Sequence, residues 1–274
     1  MIDMEQLYQP LNHFLDRFIQ AIEAYDGTMR HAETLQAAID DYSTFITNST
    51  NQLYWSELSS IDLETLAPLA ERLRDTSARC VSIMEKYRAL KLLGGEDEGQ
   101  EYFSNIESSI EKEFGSFTVT AASKVLLIGS GAFPMTPLLI ARRTGAEVTG
   151  IDIDGEALAL GRRVAERLGP HLPIRQENLS LEQLRDIFDM THIIISSTVS
   201  VKYRLLDWLH AVARPDVVVA VRYGNGLKSL FNYPMEVTDK QKWRLAETAV
   251  RPNHVFDVAL YRKALTPVSA RGSN

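Results

Sequence analysis

Residues 124–136 read KVLLIGSGAFPMT, an apolar run that enters a turn holding Gly129, Ser130 and Gly131 and leaves through Pro134 into a helical pattern. Strand, Gly-rich turn and helix in that order open a parallel α/β sheet, whose ligands sit at the carboxyl ends of the strands. Glycine suits such a turn because a Cβ keeps the backbone away from a ligand and because φ can need to be positive there. Residues 146–152 (AEVTGID) give the next strand signal and close on Asp152, where a carboxylate can hold both hydroxyls of a ribose. Gly129, Ser130, Gly131 and Asp152 are therefore the candidate pocket for an adenosine-like group. Asp154, at the start of the next helical stretch, is a further candidate with a simpler use, stabilising that helix N-terminus.

The alternation continues. Further strand candidates are 173–176, 191–197 (THIIISS), 217–222 (VVVAVR) and 255–261, with helical stretches at 134–143, 156–168, 181–188, 201–212 and 240–250. This order predicts a mainly parallel, doubly wound, Rossmann-like sheet with helices on both faces. In a dinucleotide fingerprint a third glycine admits the pyrophosphate. Phe133 and Pro134 fill that region here, which disfavours a nicotinamide cofactor and suits a nucleoside without phosphate. By analogy of fold the expected ligand is S-adenosylmethionine, on a class I methyltransferase-like sheet. Asn178, after the third strand, is placed to meet the adenine edge or simply to face solvent. Ser196, Ser197 and Thr198 end the fourth strand, where the amino-acid part of a donor or acceptor would lie. Arg222 and Tyr223 end the fifth, where an Arg can hold a carboxylate by a bidentate pair or pair with the other half of the chain.

Before residue 118 the period is helical. Leu7, Leu11, Phe14, Leu15, Phe18, Ile19 and Ile22 recur at three- and four-residue steps. So do Leu35, Ala38, Ile39, Tyr42 and Phe45, and then Leu66, Leu69, Leu73, Cys80, Ile83, Tyr87 and Leu90, the mark of amphipathic helices. Asp26-Gly27, residues 47–52 and Gly94-Gly95 supply the breaks, and residues 102–117 continue the pattern. The expected organisation is an all-α bundle of four or five helices over 1–118 followed by the Rossmann-like domain over 119–274. Charge divides at the same place, with 21 acids and 9 bases before Val119 and 15 acids and 20 bases from there on. The acidic half either aids docking and solubility or lines a site for a cationic substrate.

The 274 residues, 45% apolar and 24% charged with a net charge of −7, describe an ordinary globular chain. Its one cysteine, Cys80, cannot form an intrachain disulfide and sits in a helical apolar stripe. With an N-terminus that lacks a basic start, this points to the cytoplasm. No stretch reaches the roughly 18 uninterrupted apolar residues of a membrane span, and a net acidic chain is poorly suited to a nucleic-acid backbone. The six histidines are scattered without an HExxH-like spacing, so no bound metal is expected.

Several long strings resemble the nicotianamine-synthase-like family, and within it the bacterial opine-metallophore synthases of the staphylopine type. They are KVLLIGSGAFPMT, THIIISSTVSVKY (191–203), RYGNGLKSLFNYP (222–234) and FDVALYRKA (256–264), with AIDDYSTFI (38–46) and RCVSIMEKYRALKLLGG (79–95) and YFSNIESSIEKEF (102–114) in the helical half. The resemblance implies transfer of the 3-amino-3-carboxypropyl (aminobutyrate) group of S-adenosylmethionine to the α-amine of histidine, with release of 5′-methylthioadenosine. It further implies that the product goes to an opine dehydrogenase, which completes a metal chelator, and it tilts the acceptor toward D-histidine. An acceptor amine is protonated and inert at neutral pH, so a placed base is required. The resemblance assigns Glu85 as general base or ammonium anchor and Tyr102 as its partner, Phe103 being the alternative by a shift of one. Asp41, with Asp40, is a candidate for the imidazole or amine of histidine, or else solvated. The rival readings are a small-molecule methyltransferase using the same donor and a non-catalytic nucleoside-binding protein. A homodimer is the base-rate expectation.

Overall fold

The computed structural model describes residues 4–95 and 114–264. The first helical stretches fold as α1 (Glu5–Ala24), α2 (Ala32–Thr47), α3 (Ser49–Ser56) and α4 (Ser60–Leu93). α1 buries Leu7, Leu11, Phe14, Leu15 and Phe18 on one stripe, and α2 presents Leu35, Ala38, Tyr42 and Ile46 to them. Residues 47–52, expected as a polar turn, interrupt the helix at Asn48 alone. Its side chain accepts the N–H groups of Thr50 and Asn51 and so starts α3, as an N-cap does.

α4 runs 34 residues from a capping box, in which Ser59 and Asp62 each accept the other's backbone N–H. Its Leu66, Leu73, Cys80 and Tyr87 join α1 and α2 in one core. Ala89 and Leu92, further along, pack instead with Ala132, Phe133, Leu138 and Leu160 of the second half. One helix therefore belongs to both cores.

The second half is a seven-stranded sheet in the order β3-β2-β1-β4-β5-β7-β6. Its strands are β1 (Lys124–Ile128), β2 (Glu147–Asp152), β3 (Ile174–Asn178), β4 (His192–Ile195), β5 (Val218–Tyr223), β6 (Trp243–Ala249) and β7 (Asp257–Lys263). The first five are parallel, and β7 runs antiparallel between β5 and β6. Helices α5 (Met135–Thr144), α6 (Gly155–Leu168) and α7 (Lys202–Val212) connect them. Ile193, Ile194 and Ile195 are all fully buried because both faces of a parallel sheet are covered.

Two predicted helices are corrected. Residues 240–250 form strand β6, with the Trp243 indole N–H donating to the Leu206 carbonyl; pairing along β7, with a bulge between Leu245 and Glu247, overrides local pattern. Residues 181–188 form two 3-10 turns, Leu181–Gln183 and Ile187–Asp189. Their buried residues Leu181, Leu184 and Ile187 recur every third position, the period of that tighter helix. Most of the helix expected over 102–117 lies outside the described residues; within it, residues 114–117 form a turn that seats Phe114 against His192, ring centroids 4.8 Å apart.

Candidate active site

The turn after β1 is shaped by backbone bonds before any side chain acts. Gly129 and Gly131 have φ of +81° and +66°, a region that favours glycine. The N–H groups of Gly129 and Ser130 donate to the Ile151 carbonyl at 3.0 and 3.1 Å. Asp152, at the end of β2, accepts the Gly131 N–H on one carboxylate oxygen and the Asp154 N–H on the other, each at 2.9 Å. The Ser130 hydroxyl donates to Gln176 at 2.8 Å and the Ser196 hydroxyl to the Gly129 carbonyl at 2.8 Å. Turn, β2 and the end of β4 are thus one hydrogen-bonded unit.

Above it a cavity of about 1200 Å³ opens between the strand ends and the helices α2 and α4. α4 contributes Glu71, Asp75, Ala78, Ser82 and Glu85 to its wall, at alternating steps of four and three that keep them on one helix face. The Glu85 carboxylate lies so close to the glycine turn that a Cβ on Gly131 would overlap it. Burial, then the negative charge of Asp152, push Glu85 up to about 8, against the N–H donated by Ala132 and the positive charges of Arg88 and Arg222. A carboxyl in that range can take a proton near neutral pH.

The cavity gathers Glu85, Gly129, Ser130, Gly131, Asp152, Ser196, Ser197, Thr198 and Arg222 of the residues singled out in the sequence. Arg222 is oriented by a bond from its Nη2 to the Thr136 hydroxyl at 3.1 Å and by the Phe256 ring, 5.2 Å from its guanidinium carbon.

Four others fall elsewhere. Asp41 faces away and pairs with Arg17 at 2.9 Å; Asp40, one residue earlier and so about 100° around the helix, is the one on the wall. Tyr223 is buried in the core beneath the sheet, because successive strand side chains point to opposite faces and Arg222 takes the cavity side. Asp154 caps α6 through the N–H groups of Glu156 and Ala157 and pairs with Lys86 at 2.9 Å. The Asn178 amide donates to the Asp152 carbonyl at 2.9 Å, bracing that loop from outside the cavity wall. Tyr102 and its alternative Phe103 lie outside the described residues.

The structure also adds residues that the sequence reading passed over. Tyr233, in the loop after β5, lines the cavity, and its hydroxyl donates to Asp75 of α4 at 2.6 Å. Burial and that bond push the phenol up to about 12. Lys202, at the start of α7, is fully buried, and burial with the charge of Arg74 pushes its amino group down to about 7. For Glu71 and Asp75, which the sequence reading also passed over, the α4 face was the available signal: with Ser82 and Glu85 they form a polar stripe beside the leucines that drew attention to the other side.

Among the described residues no helix is long and apolar enough to cross a membrane, and no group of three or more His, Cys, Asp or Glu could hold a metal ion. Sheet order, glycine turn and the Glu85 carboxylate beside it make an α/β protein with a pocket at its strand ends under a helical roof. The chain is 33% identical over 233 residues to a Pseudomonas aeruginosa protein named L-histidine 2-aminobutanoyltransferase, covering 85% of this chain and 87% of that one. It belongs to the L-histidine 2-aminobutanoyltransferase family. A Yersinia pestis protein of the same name is 30% identical over 182 residues, 65% of this chain and 67% of its own. No family model matches the chain. Among solved structures, MtNAS in complex with MTA and tNA superposes with a TM-score of 0.73 at 15% identity, covering 94% of this chain and 98% of that one. A Glu-to-Gln mutant of MtNAS in complex with S-adenosylmethionine gives 0.70 at 16% identity, covering 92% and 98%. Helical roof and sheet therefore share the fold of a nicotianamine synthase.

Proposed function

We propose that this chain transfers the 3-amino-3-carboxypropyl group of S-adenosylmethionine to the α-amine of histidine, releasing 5′-methylthioadenosine. The observation that carries this reading is the Glu85 carboxylate held against the nucleoside turn at Gly131 with its proton affinity raised to about 8. The names of the relatives support both the transferred group and the acceptor, and favour L-histidine over the D-isomer expected from the staphylopine-type resemblance.

The residues present fit such a donor. The two positive-φ glycines leave backbone exposed at the strand ends, and each Asp152 oxygen, having accepted one N–H, keeps a lone pair for a ribose hydroxyl. When bound, the donor supplies a sulfonium whose carbon–sulfur bond breaks, the electron pair staying on sulfur, as the acceptor nitrogen bonds to the aminobutyrate carbon. Glu85 takes the proton that the nitrogen loses. Asp40, Glu71 and Asp75 make the helical wall acidic, complementary to an ammonium or imidazolium, while Arg222 offers two donors for a carboxylate. The helical roof covers one side of the cavity and so limits the access of water to a reactive cation.

The same reading places the chain in the cytoplasm, ahead of an opine dehydrogenase and as a homodimer. The same reading puts a domain boundary near residue 118, in the stretch between the end of α4 at Leu93 and the start of β1 at Lys124. The test is incubation with S-adenosylmethionine and L- or D-histidine, each product identified by mass spectrometry. Methylthioadenosine with a histidine heavier by one aminobutyrate is the expected result. S-adenosylhomocysteine would instead establish methyl transfer, and donor affinity without turnover would leave a binding protein.

A further inference from the structure

Lys202 is fully buried, and among the described residues it forms no ion pair. It stands at the first position of α7, where the helix dipole is unfavourable to a positive charge. A lysine buried there without a counter-ion lowers stability, so its use is to be sought in what it holds. Its Nζ donates to three backbone carbonyls: Ser197 after β4 at 2.8 Å, Arg222 in β5 at 2.7 Å, and Tyr233 in the following loop at 3.4 Å. Protonated, it has one N–H for each oxygen. All three residues line the cavity, and Lys202 does not.

The links extend outward from there. The Tyr233 N–H donates to the Ser197 carbonyl and the Gly224 N–H to the Tyr233 carbonyl, both at 3.3 Å. The Tyr233 hydroxyl reaches Asp75 across the cavity mouth, and the Arg74 guanidinium carbon lies 5.6 Å from the centre of its ring. The glycine turn and Asp152, by contrast, have no bond to Lys202.

We propose that Lys202 is a positioning residue for the transfer, its single amino group setting the spacing of the cavity wall made by Ser197, Arg222 and Tyr233. This rests on the function proposed above and adds to it a division of labour: the nucleoside end of the cavity is independent of Lys202, and the end that takes the amino-acid parts of the substrates depends on it.

The test compares wild type with Lys202→Met, which keeps the stem and removes the donors, and Lys202→Arg, which keeps charge and donors. For Lys202→Met the expected result is binding of 5′-methylthioadenosine, measured by calorimetry, within about 2-fold of wild type, with the ratio kcat/KM for histidine lowered about 10-fold or more, the scale of a small misplacement. Amide hydrogen exchange at Gly224 and Tyr233 should quicken, and Lys202→Arg should recover part of the loss. Unchanged kinetics in Lys202→Met, equal loss of nucleoside and histidine binding, or failure of both variants to fold would each overturn the proposal. Absence of turnover in wild type sinks the proposed reaction instead. Exchange then decides the role of Lys202, unchanged protection at Gly224 and Tyr233 refuting it.

Discussion

Glu85 owes its proton affinity to its address. It is one carboxylate of an α4 face that is mostly solvated, but the chain seats it beside Gly131 and within the field of Asp152. Two consequences can be measured. The base form grows with pH, so kcat/KM, which reports the unloaded chain, should rise and level off above about 8, and Glu85→Gln should abolish that rise while lowering kcat by about 10²-fold or more and sparing affinity for uncharged 5′-methylthioadenosine. Stability should move the other way. Between the ordinary value of 4.5 and about 8 the folded chain keeps this proton and the unfolded chain has lost it, so stability falls as pH rises through that window. Melting of Glu85→Gln, followed from pH 5 to 8, should lack that slope.

Asp152 and Asp154 stand two residues apart and divide by what the elements do with them. Asp152 ends a strand and faces the cavity, while Asp154 begins α6 and satisfies its first free N–H groups. Asp154→Ala should cost about 1 kcal/mol, the loss of an N-cap, read as a lower urea midpoint with nucleoside affinity unchanged; Asp152→Asn should weaken nucleoside binding. Elements were legible in the sequence wherever one local pattern spoke for them. KVLLI and HIII are buried on both faces and could be little else, and the glycine turn announces itself. β6 was not legible, because WRLAETA owes its extended form to β7, a partner that follows it in the chain. The misplaced Tyr223 was a matter of strand alternation, and Asp41 of helix phase, both readable from Arg222 and Asp40 had either been fixed first. Tyr233 and Lys202 carried no local signal at all: their partners are backbone carbonyls and an Asp 158 positions away.

Seen whole, the two halves are not separable weights on a hinge. Leu227, Leu230 and Phe231 of the 3-10 turn Gly226–Leu230 and its next residue complete the core of α1, α2 and α4, and the Tyr42 hydroxyl donates to the Leu230 carbonyl at 2.8 Å. That turn is tied to the sheet by Lys228, which meets Asp257 of β7 at 2.7 Å in a pair with side-chain exposures of 7% and 8%. Asp257 also accepts the Arg251 N–H. Asp257→Ala strands a buried charge and should cost about 3–5 kcal/mol. Unfolding in urea, followed by helical circular dichroism and by the fluorescence of Trp55, Trp208 and Trp243, should show one shared midpoint that shifts down for both signals in this variant.

The closeness of Glu85 to the nucleoside turn also links proton traffic to occupancy. An empty cavity leaves the carboxyl largely protonated at neutral pH; a sulfonium and an ammonium brought beside it favour the carboxylate. Loading the site therefore arms the base and expels a proton to solvent, so the heat of substrate binding depends on the ionisation enthalpy of the buffer. The unloaded chain, meanwhile, rests with its base switched off.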